Sequence, residues 1–277
     1  MQDGECVALL QWMLPTLGLR WEGFRRVRKQ VCKRIARRIA ELGLKSVADY
    51  RSYLNAHREE WSMADSLCTV TITRFYRDKG VFAYLGSTVL PELGRHALDA
   101  SRTELRAWSA GCGSGEEPYT LSLVWHLEVA HELPGLALRI LGTDIDDRLL
   151  QRAHDAVYPA GCLADLPEQW RNTAFDETST GWRLGSAYRD NVTFRRHDLR
   201  DEPPRGPFDL VLCRNLAFTY FDDATQFTTA RRLRTVLNER GALVLGRHEG
   251  LPPGAPGFSA WSAGHKIYRA SPPSAPR

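Results

Sequence analysis

Apolar positions follow two rhythms along the chain. Between Phe24 and Leu42 they recur every three or four residues, at Phe24, Val27, Val31, Ile35, Ile39 and Leu42. That spacing gives one buried stripe on a helix, and Gly43 supplies a stop. SVADYRSYLNAHREEWSMADSLC then reads as one or two further helices. Residues 1–75 are therefore expected to form a small helical domain. Past residue 100, short apolar runs alternate with helical periods. LRAWSAG (105–111), LRILGTDID (138–146), NVTFRRHDL (191–199), FDLVLCRN (208–215) and GALVLG (241–246) read as strands. EPYTLSLVWHLEVAHEL, DRLLQRAHDAVY and ATQFTTARRLRTVL read as helices. This alternation predicts an α/β domain over 76–270 with a doubly wound, mostly parallel, Rossmann-like sheet. Residues 165–190 interrupt it, and Trp182 and Leu184 between Gly181 and Gly185 suggest a small β-hairpin insertion. The tail 271–277, SPPSAPR, is expected to be disordered, and no internal repeat is visible.

In a doubly wound sheet, ligands bind at the carboxyl ends of the strands. Gly111, Asp144, Asp198 and Asn215 all fall there. The first of these ends reads SAGCGSGEEPYT, with Gly111, Gly113 and Gly115 leading into a helix. A glycine loop before a helix commonly cradles phosphate, although a tight turn can need glycine for steric reasons alone. Here Glu116 and Glu117 follow at once, and two carboxylates would repel a pyrophosphate. They could be helix-capping acids favoured by the dipole, or they could receive a cation. S-adenosylmethionine carries an ammonium and a sulfonium and no phosphate, so it suits glycines and a carboxylate together. Asp144 is placed to hold the ribose hydroxyls, and Asp198 to meet the adenine edge.

Charge adds one feature. The 277 residues carry a net charge of +4, but Arg25, Arg26, Arg28, Lys29, Lys33, Arg34, Arg37 and Arg38 crowd the first long helix. Such a face can simply be solvated, or it can steer an acidic partner. Mean hydropathy is −0.36, and no apolar run is long enough to cross a bilayer. The N-terminus lacks a basic start and a clear cleavage site, so no leader is expected. Six scattered cysteines form no CxxC pair or Cys/His cluster, so no metal site is expected and a reduced cytoplasm fits. Cys112 and Cys213 read as small core hydrophobes, and His197, His248 and His265 as hydrogen-bonded or solvated histidines.

Together, TITRFYRD (71–78), SAGCGSGEEPY (109–119), TDID (143–146), GPFDLVLCRN (206–215), YFD (220–222) and GALVLG make the chain similar, from about Phe24 to Tyr268, to the CheR-type methyltransferases. These use S-adenosylmethionine to esterify glutamate side chains of bacterial chemoreceptors. The resemblance implies a helical N-terminal domain, a doubly wound catalytic domain and a small β-insertion. It implies S-adenosylmethionine as cofactor and S-adenosylhomocysteine as product. By motif, Thr73 and Arg77 lie by the methionine part of the cofactor, and Thr71 is a further cofactor-binding position. Glu117 holds its amino group and Asp144 its ribose. Asp198 and Leu199 flank its adenine, Arg214 and Asn215 lie beside its sulfonium, and Tyr220 lies near the transferred methyl. Arg77, Asn215 and Tyr220 are thus the expected catalytic set. Arg34, Arg37 and Arg38 match the family's arginine-rich stretch that faces the substrate.

Several positions depart from the pattern. Thr71 stands where asparagine is frequent, and Asp198 also stands for asparagine. LAFT puts four residues before YFD where the family has three, so Thr219 or Tyr220 could fill the aromatic place. The last strand is followed by GRHEG (246–250) where the chemoreceptor enzymes read GHSE. The expected activity is carboxyl O-methylation of glutamates on an acidic protein by a cytoplasmic monomer. Alternatives are the same chemistry on a small molecule or a nucleic acid, or a non-catalytic cofactor-binding module. A nucleic-acid acceptor fits less well, because CRNLAF lacks the Pro-Pro-aromatic loop of amino-methylating enzymes and no aromatics interleave the arginines.

Overall fold

The computed structural model describes residues 2–271; most of the tail expected to be disordered, residues 272–277, lies outside them. The chain divides into a helical unit, residues 1–72 with 219–226, and a larger α/β unit, residues 73–218 with 227–277. No helix among the described residues is long and apolar enough to cross a membrane.

The helical unit contains helices Asp3–Met13, Arg28–Glu41, Val47–Ala56 and Glu60–Cys68. The expected stripe is present, with Phe24, Val31, Ile35 and Ile39 buried. The expected single helix over 24–42 is not. It is a short turn Trp21–Phe24 and then Arg28–Glu41. The cause is local docking that residue spacing does not encode. Leu19 bridges Phe221, the Arg20 N–H donates to Tyr220 O at 2.8 Å, and a Cβ on Gly23 would strike the Thr219 carbonyl. Cys6 and Cys32 are joined in a disulfide, which corrects the reading of all six cysteines as reduced; their scattered positions did not suggest the pairing. Glu60, buried, accepts from Arg38 Nε and Nη2 at 2.9 and 2.8 Å and from Tyr50 O–H at 3.0 Å.

The α/β unit is built on β1 (Glu104–Ala110), β2 (Ala137–Asp144), β3 (Val157–Tyr158), β4 (Phe175–Thr178), β5 (Gly181–Leu184), β6 (Val192–Arg196), β7 (Phe208–Cys213), β8 (Leu237–Leu245), β9 (Phe258–Ser262) and β10 (Ile267–Ala270). The main sheet runs β6-β2-β1-β7-β8-β10-β9. Its first five strands are parallel and match the five expected from sequence. The antiparallel pair β9–β10 extends the sheet beyond β8 and was not anticipated. The insertion is a three-stranded sheet, β3-β5-β4, rather than a hairpin. Its first strand takes Val157 and Tyr158, which periodicity had placed at a helix end. Ala156, in the left-handed conformation, stops that helix early.

Strand order reverses between β1 and β7, which opens a crevice at their carboxyl ends. The opposite end is closed by Asp209, which accepts from Arg102 Nη1 and Nη2 at 2.8 and 2.6 Å, from the Arg106 N–H at 2.9 Å and from Asn238 Nδ2 at 2.6 Å. Trp108 lies fully buried in β1, its Nε1–H donating to Thr143 Oγ1 at 2.9 Å. This fixes β1 against β2 directly beneath the glycine loop.

Candidate cofactor site

The loop after β1 turns on three glycines in the left-handed region, Gly111 at φ 77°, Gly113 at 57° and Gly115 at 92°. Side chains adopt this conformation at a cost of roughly 1–2 kcal/mol per residue. At Gly111 the need is also spatial, because a Cβ there would collide with Leu216. The Gly111 and Cys112 N–H groups both donate to Thr143 O at 2.8 Å. Asp144, at the end of β2, reaches under the same loop. Its Oδ2 accepts from the Gly113 N–H at 2.8 Å and its Oδ1 from the Asp146 N–H at 3.0 Å. The two backbone bonds aim the carboxylate, and each oxygen keeps a lone pair for a further donor. Burial raises the Asp144 pKa, which such donors oppose.

The paired glutamates separate. Glu116 turns inward and is buried; the Ser114 hydroxyl donates to both of its oxygens at 3.0 Å, and Thr73 hydrogen-bonds it as well. Burial pushes its carboxyl above the usual range. Thr73 is thereby tied to the base of the glycine loop. Glu117 takes the other direction, accepting from Ser109 O–H at 2.8 Å and from Arg214 Nη1 at 2.9 Å.

Arg214 follows β7 and is almost fully buried. Its Nη2 donates to Asp78 Oδ2 at 2.7 Å and to the Arg77 carbonyl at 3.1 Å, and its guanidinium lies 5.2 Å from the Phe82 ring centre. Among the described residues nothing accepts from its Nε–H. Asn215, at φ 57°, continues the loop. Its N–H and those of Leu216 and Gly246 all donate to the Glu249 carboxylate, at 2.7, 3.0 and 2.7 Å. The sequence reading did not single out Glu249. Its signal was there, since glutamate is the fourth residue of GRHEG as of GHSE, so that departure leaves the carboxylate in place.

Thr73, Arg77, the three glycines, Glu117, Asp144, Asp198, Leu199, Arg214 and Asn215 therefore belong to the α/β unit, while Thr71, Tyr220, Arg34, Arg37 and Arg38 belong to the helical unit. Asp198 does not end its strand; β6 stops at Arg196. Its carboxylate is clasped by Arg200, whose N–H and Nε donate to Oδ1 at 2.9 and 3.0 Å and whose Nη2 donates to Oδ2 at 2.7 Å. Burial raises its pKa, and the Arg200 bonds outweigh that and leave it lowered. Leu199 is buried. Thr71 is exposed. Tyr220 packs on Phe24 with ring centres 5.1 Å apart. Arg34 donates to the carbonyls of Leu67 and Thr69. Arg38 is held by Glu60, so the guanidinium expected to face a substrate serves the fold of its own unit. Arg37 leaves 73% of its side chain exposed, with Glu41 at 3.5 Å. Cys112 and Cys213 are buried, and burial drives both thiols well above their ordinary pKa. Neither is a thiolate at neutral pH.

The donor set fits a cationic nucleoside. Glu117 and Asp78 set two carboxylates on the one guanidinium of Arg214. Asp144, held by the Gly113 and Asp146 N–H groups, stands at the same strand ends. Comparison with known proteins agrees. The model of the CheR methyltransferase, SAM binding domain, matches residues 71–265. A chemotaxis protein methyltransferase of Listeria monocytogenes is 35% identical over 184 residues, 66% of this chain and 67% of that protein. One from Borreliella burgdorferi is 28% identical over 212 residues, 75% of each. An uncharacterised 104.1 kDa protein of Rhodobacter capsulatus is 33% identical over 250 residues, 88% of this chain, and the chain spans only 25% of that relative's length.

Proposed function

The chain belongs to the CheR methyltransferase family, an S-adenosylmethionine-dependent group of enzymes, and on that premise we propose that it methylates glutamate carboxylates on an acidic protein partner, of chemoreceptor kind, as a cytoplasmic monomer. The observation that carries this reading is the chemistry of the crevice. It offers carboxylates and backbone groups for a cation, its two cysteines are not thiolates, and its buried acids Glu116 and Glu249 are tied to hydroxyls and to backbone N–H groups respectively. A glutamate acceptor needs no base, because with a reference pKa of about 4.3 it is an anion at neutral pH.

S-adenosylmethionine supplies, when bound, a methyl activated by a sulfonium; the acceptor oxygen forms the new C–O bond as the C–S bond breaks and its electron pair returns to sulfur, with no proton to move. The residues named above do the rest by position. Glu117, already tied to Ser109 and Arg214, takes the amino end. Asp144 takes the ribose. The 214–216 loop and Arg77 border the reacting end. Opposite charges merge in the transition state, so a crevice walled by buried Arg214, Phe82 and Cys213 favours the reaction by limiting water. On the acceptor side, exposed arginines of the helical unit, Arg37 foremost, suit an acidic helix.

The test is transfer of labelled methyl from S-adenosylmethionine into a fractionated bacterial lysate. Label in an acidic membrane-protein band is the expected result. Label confined to RNA or to small molecules would contradict the proposed acceptor while leaving the methyltransferase intact.

A further inference from the structure

Glu249 was assigned no role by the motifs, yet it is 4% exposed and its carboxylate gathers three backbone N–H groups from two strand ends. Oε2 accepts from Asn215 at 2.7 Å and from Gly246 at 2.7 Å, and Oε1 from Leu216 at 3.0 Å. Both walls of the crevice then hang on the residues so held. Leu216 sends its Cδ2 into the space that a Cβ of Gly111 would need, so it abuts the glycine loop. Arg214, one residue before Asn215, reaches Glu117 on the far side. Asn215 itself sits at φ 57°, a conformation that a non-glycine residue holds only where its surroundings impose it. Gly246 is part of the same device. A Cβ there would lie 2.7 Å from Glu249 Oε2, 2.8 Å from Asn215 Oδ1 and 2.9 Å from the Asn215 nitrogen. Only a glycine lets the turn after β8 come this close.

We propose that Glu249 is a positioning residue for methyl transfer, setting through Asn215 and Leu216 the placement of the 214–216 loop against the reacting end of the cofactor. The proposal rests on the reading of Arg214 and Asn215 as the loop beside the sulfonium. It does not depend on which acceptor is methylated.

Two variants attack the device differently. Glu249→Gln keeps the shape but turns an NH2 toward one of the backbone N–H groups, which breaks at least one bond. Gly246→Ala keeps the carboxylate and pushes it away from Asn215. The readout is the ratio of dissociation constants for S-adenosylmethionine and S-adenosylhomocysteine, by calorimetry, alongside the melting temperature. Asn215→Ala serves as the reference. The two ligands differ by the methyl and its positive charge, so a displaced loop alters the ratio, whereas general loosening weakens both alike. Both variants are expected to change the ratio by about fivefold or more, beyond any loss of melting temperature that accompanies them. Equal weakening of both ligands, or a large loss of melting temperature with the ratio intact, would show a structural role alone and overturn the proposal. A ratio altered by Asn215→Ala but by neither of the other variants would overturn it as well. No change in any of the three would remove the placement of the loop beside the sulfonium, and the proposal with it.

Discussion

Glu117 and Asp144 carry opposite kinds of preparation. Glu117 is oriented by a side-chain hydroxyl and a guanidinium, Asp144 by backbone N–H groups of the loop that it serves. Replacing Glu117 by Gln removes the negative charge proposed to meet the ammonium and weakens the Arg214 pair. Hydrogen bonds to charged groups contribute roughly 1.5–3 kcal/mol, so S-adenosylmethionine affinity should fall about tenfold to a hundredfold by calorimetry. An unchanged affinity would place the amino group elsewhere. Both residues were legible in the sequence, because a carboxylate at a strand end or a helix start has a fixed place relative to the loop. Glu249 was marked only as the fourth residue that GRHEG shares with GHSE; its partners are backbone N–H groups, which every residue has, so they leave no mark on the sequence. The Arg200 clasp on Asp198 was within two residues and could have been read; an acid with an arginine so near is free for an adenine edge only if the arginine turns away.

At the scale of elements, strand ends were the most readable feature, since short apolar runs that stop at Gly, Asp or Asn mark where a parallel strand leaves the core. The β9–β10 pair carried no such mark: FSAWS and IYRA are short and half polar, and only β8 gives β10 a place in the sheet. The break at residues 25–27 was hidden for a related reason, because the apolar stripe continues through it. Two predictions belong here. Gly111→Ala places a side chain at φ 77° and against Leu216. It should lower the melting temperature, with a backbone cost alone of roughly 1–2 kcal/mol, and weaken cofactor binding as the loop is displaced. Calorimetry and thermal denaturation check both. In the helical unit, the Arg38 hydrogen bonds, with help from Tyr50 and against the effect of burial, hold the Glu60 carboxyl below its ordinary pKa. Its folded value lies below its unfolded value of about 4.3. The stability it adds is therefore present above that pH and is lost as pH falls through the lower folded value. Glu60→Gln should flatten the acid limb of the wild-type stability curve. An acid limb identical to that of the wild type would contradict this.

For the molecule as a whole, the net charge of +4 says less than where the exposed charge lies. Charge alone leaves the arginine-rich helix as a solvated or a steering face, and the resemblance implies a substrate face for Arg34, Arg37 and Arg38. Two of its three expected arginines turn out to be engaged at home, by Glu60 and by the carbonyls of Leu67 and Thr69. Periodicity shows which positions face away from the stripe, but not which of those find an acid or a carbonyl in the next helix. Arg37 remains exposed. Arg37→Glu should raise KM for an acidic protein acceptor by about three- to tenfold at low salt, with the gap narrowing as salt screens the charge. The affinity for S-adenosylmethionine should be unaffected. A variant that weakens cofactor binding instead would tie this helix to the cofactor site rather than to the acceptor.

If the methyl acceptor is a carboxylate, the bond formed reports on it directly. Protein labelled with methyl from S-adenosylmethionine by this enzyme would be brought to mild alkali and the vapour counted. Esters of carboxylates hydrolyse there, and the account predicts that the label leaves as volatile methanol. Label that stays on the protein through the same treatment would mean methylation at nitrogen or at another stable position, and would contradict the account.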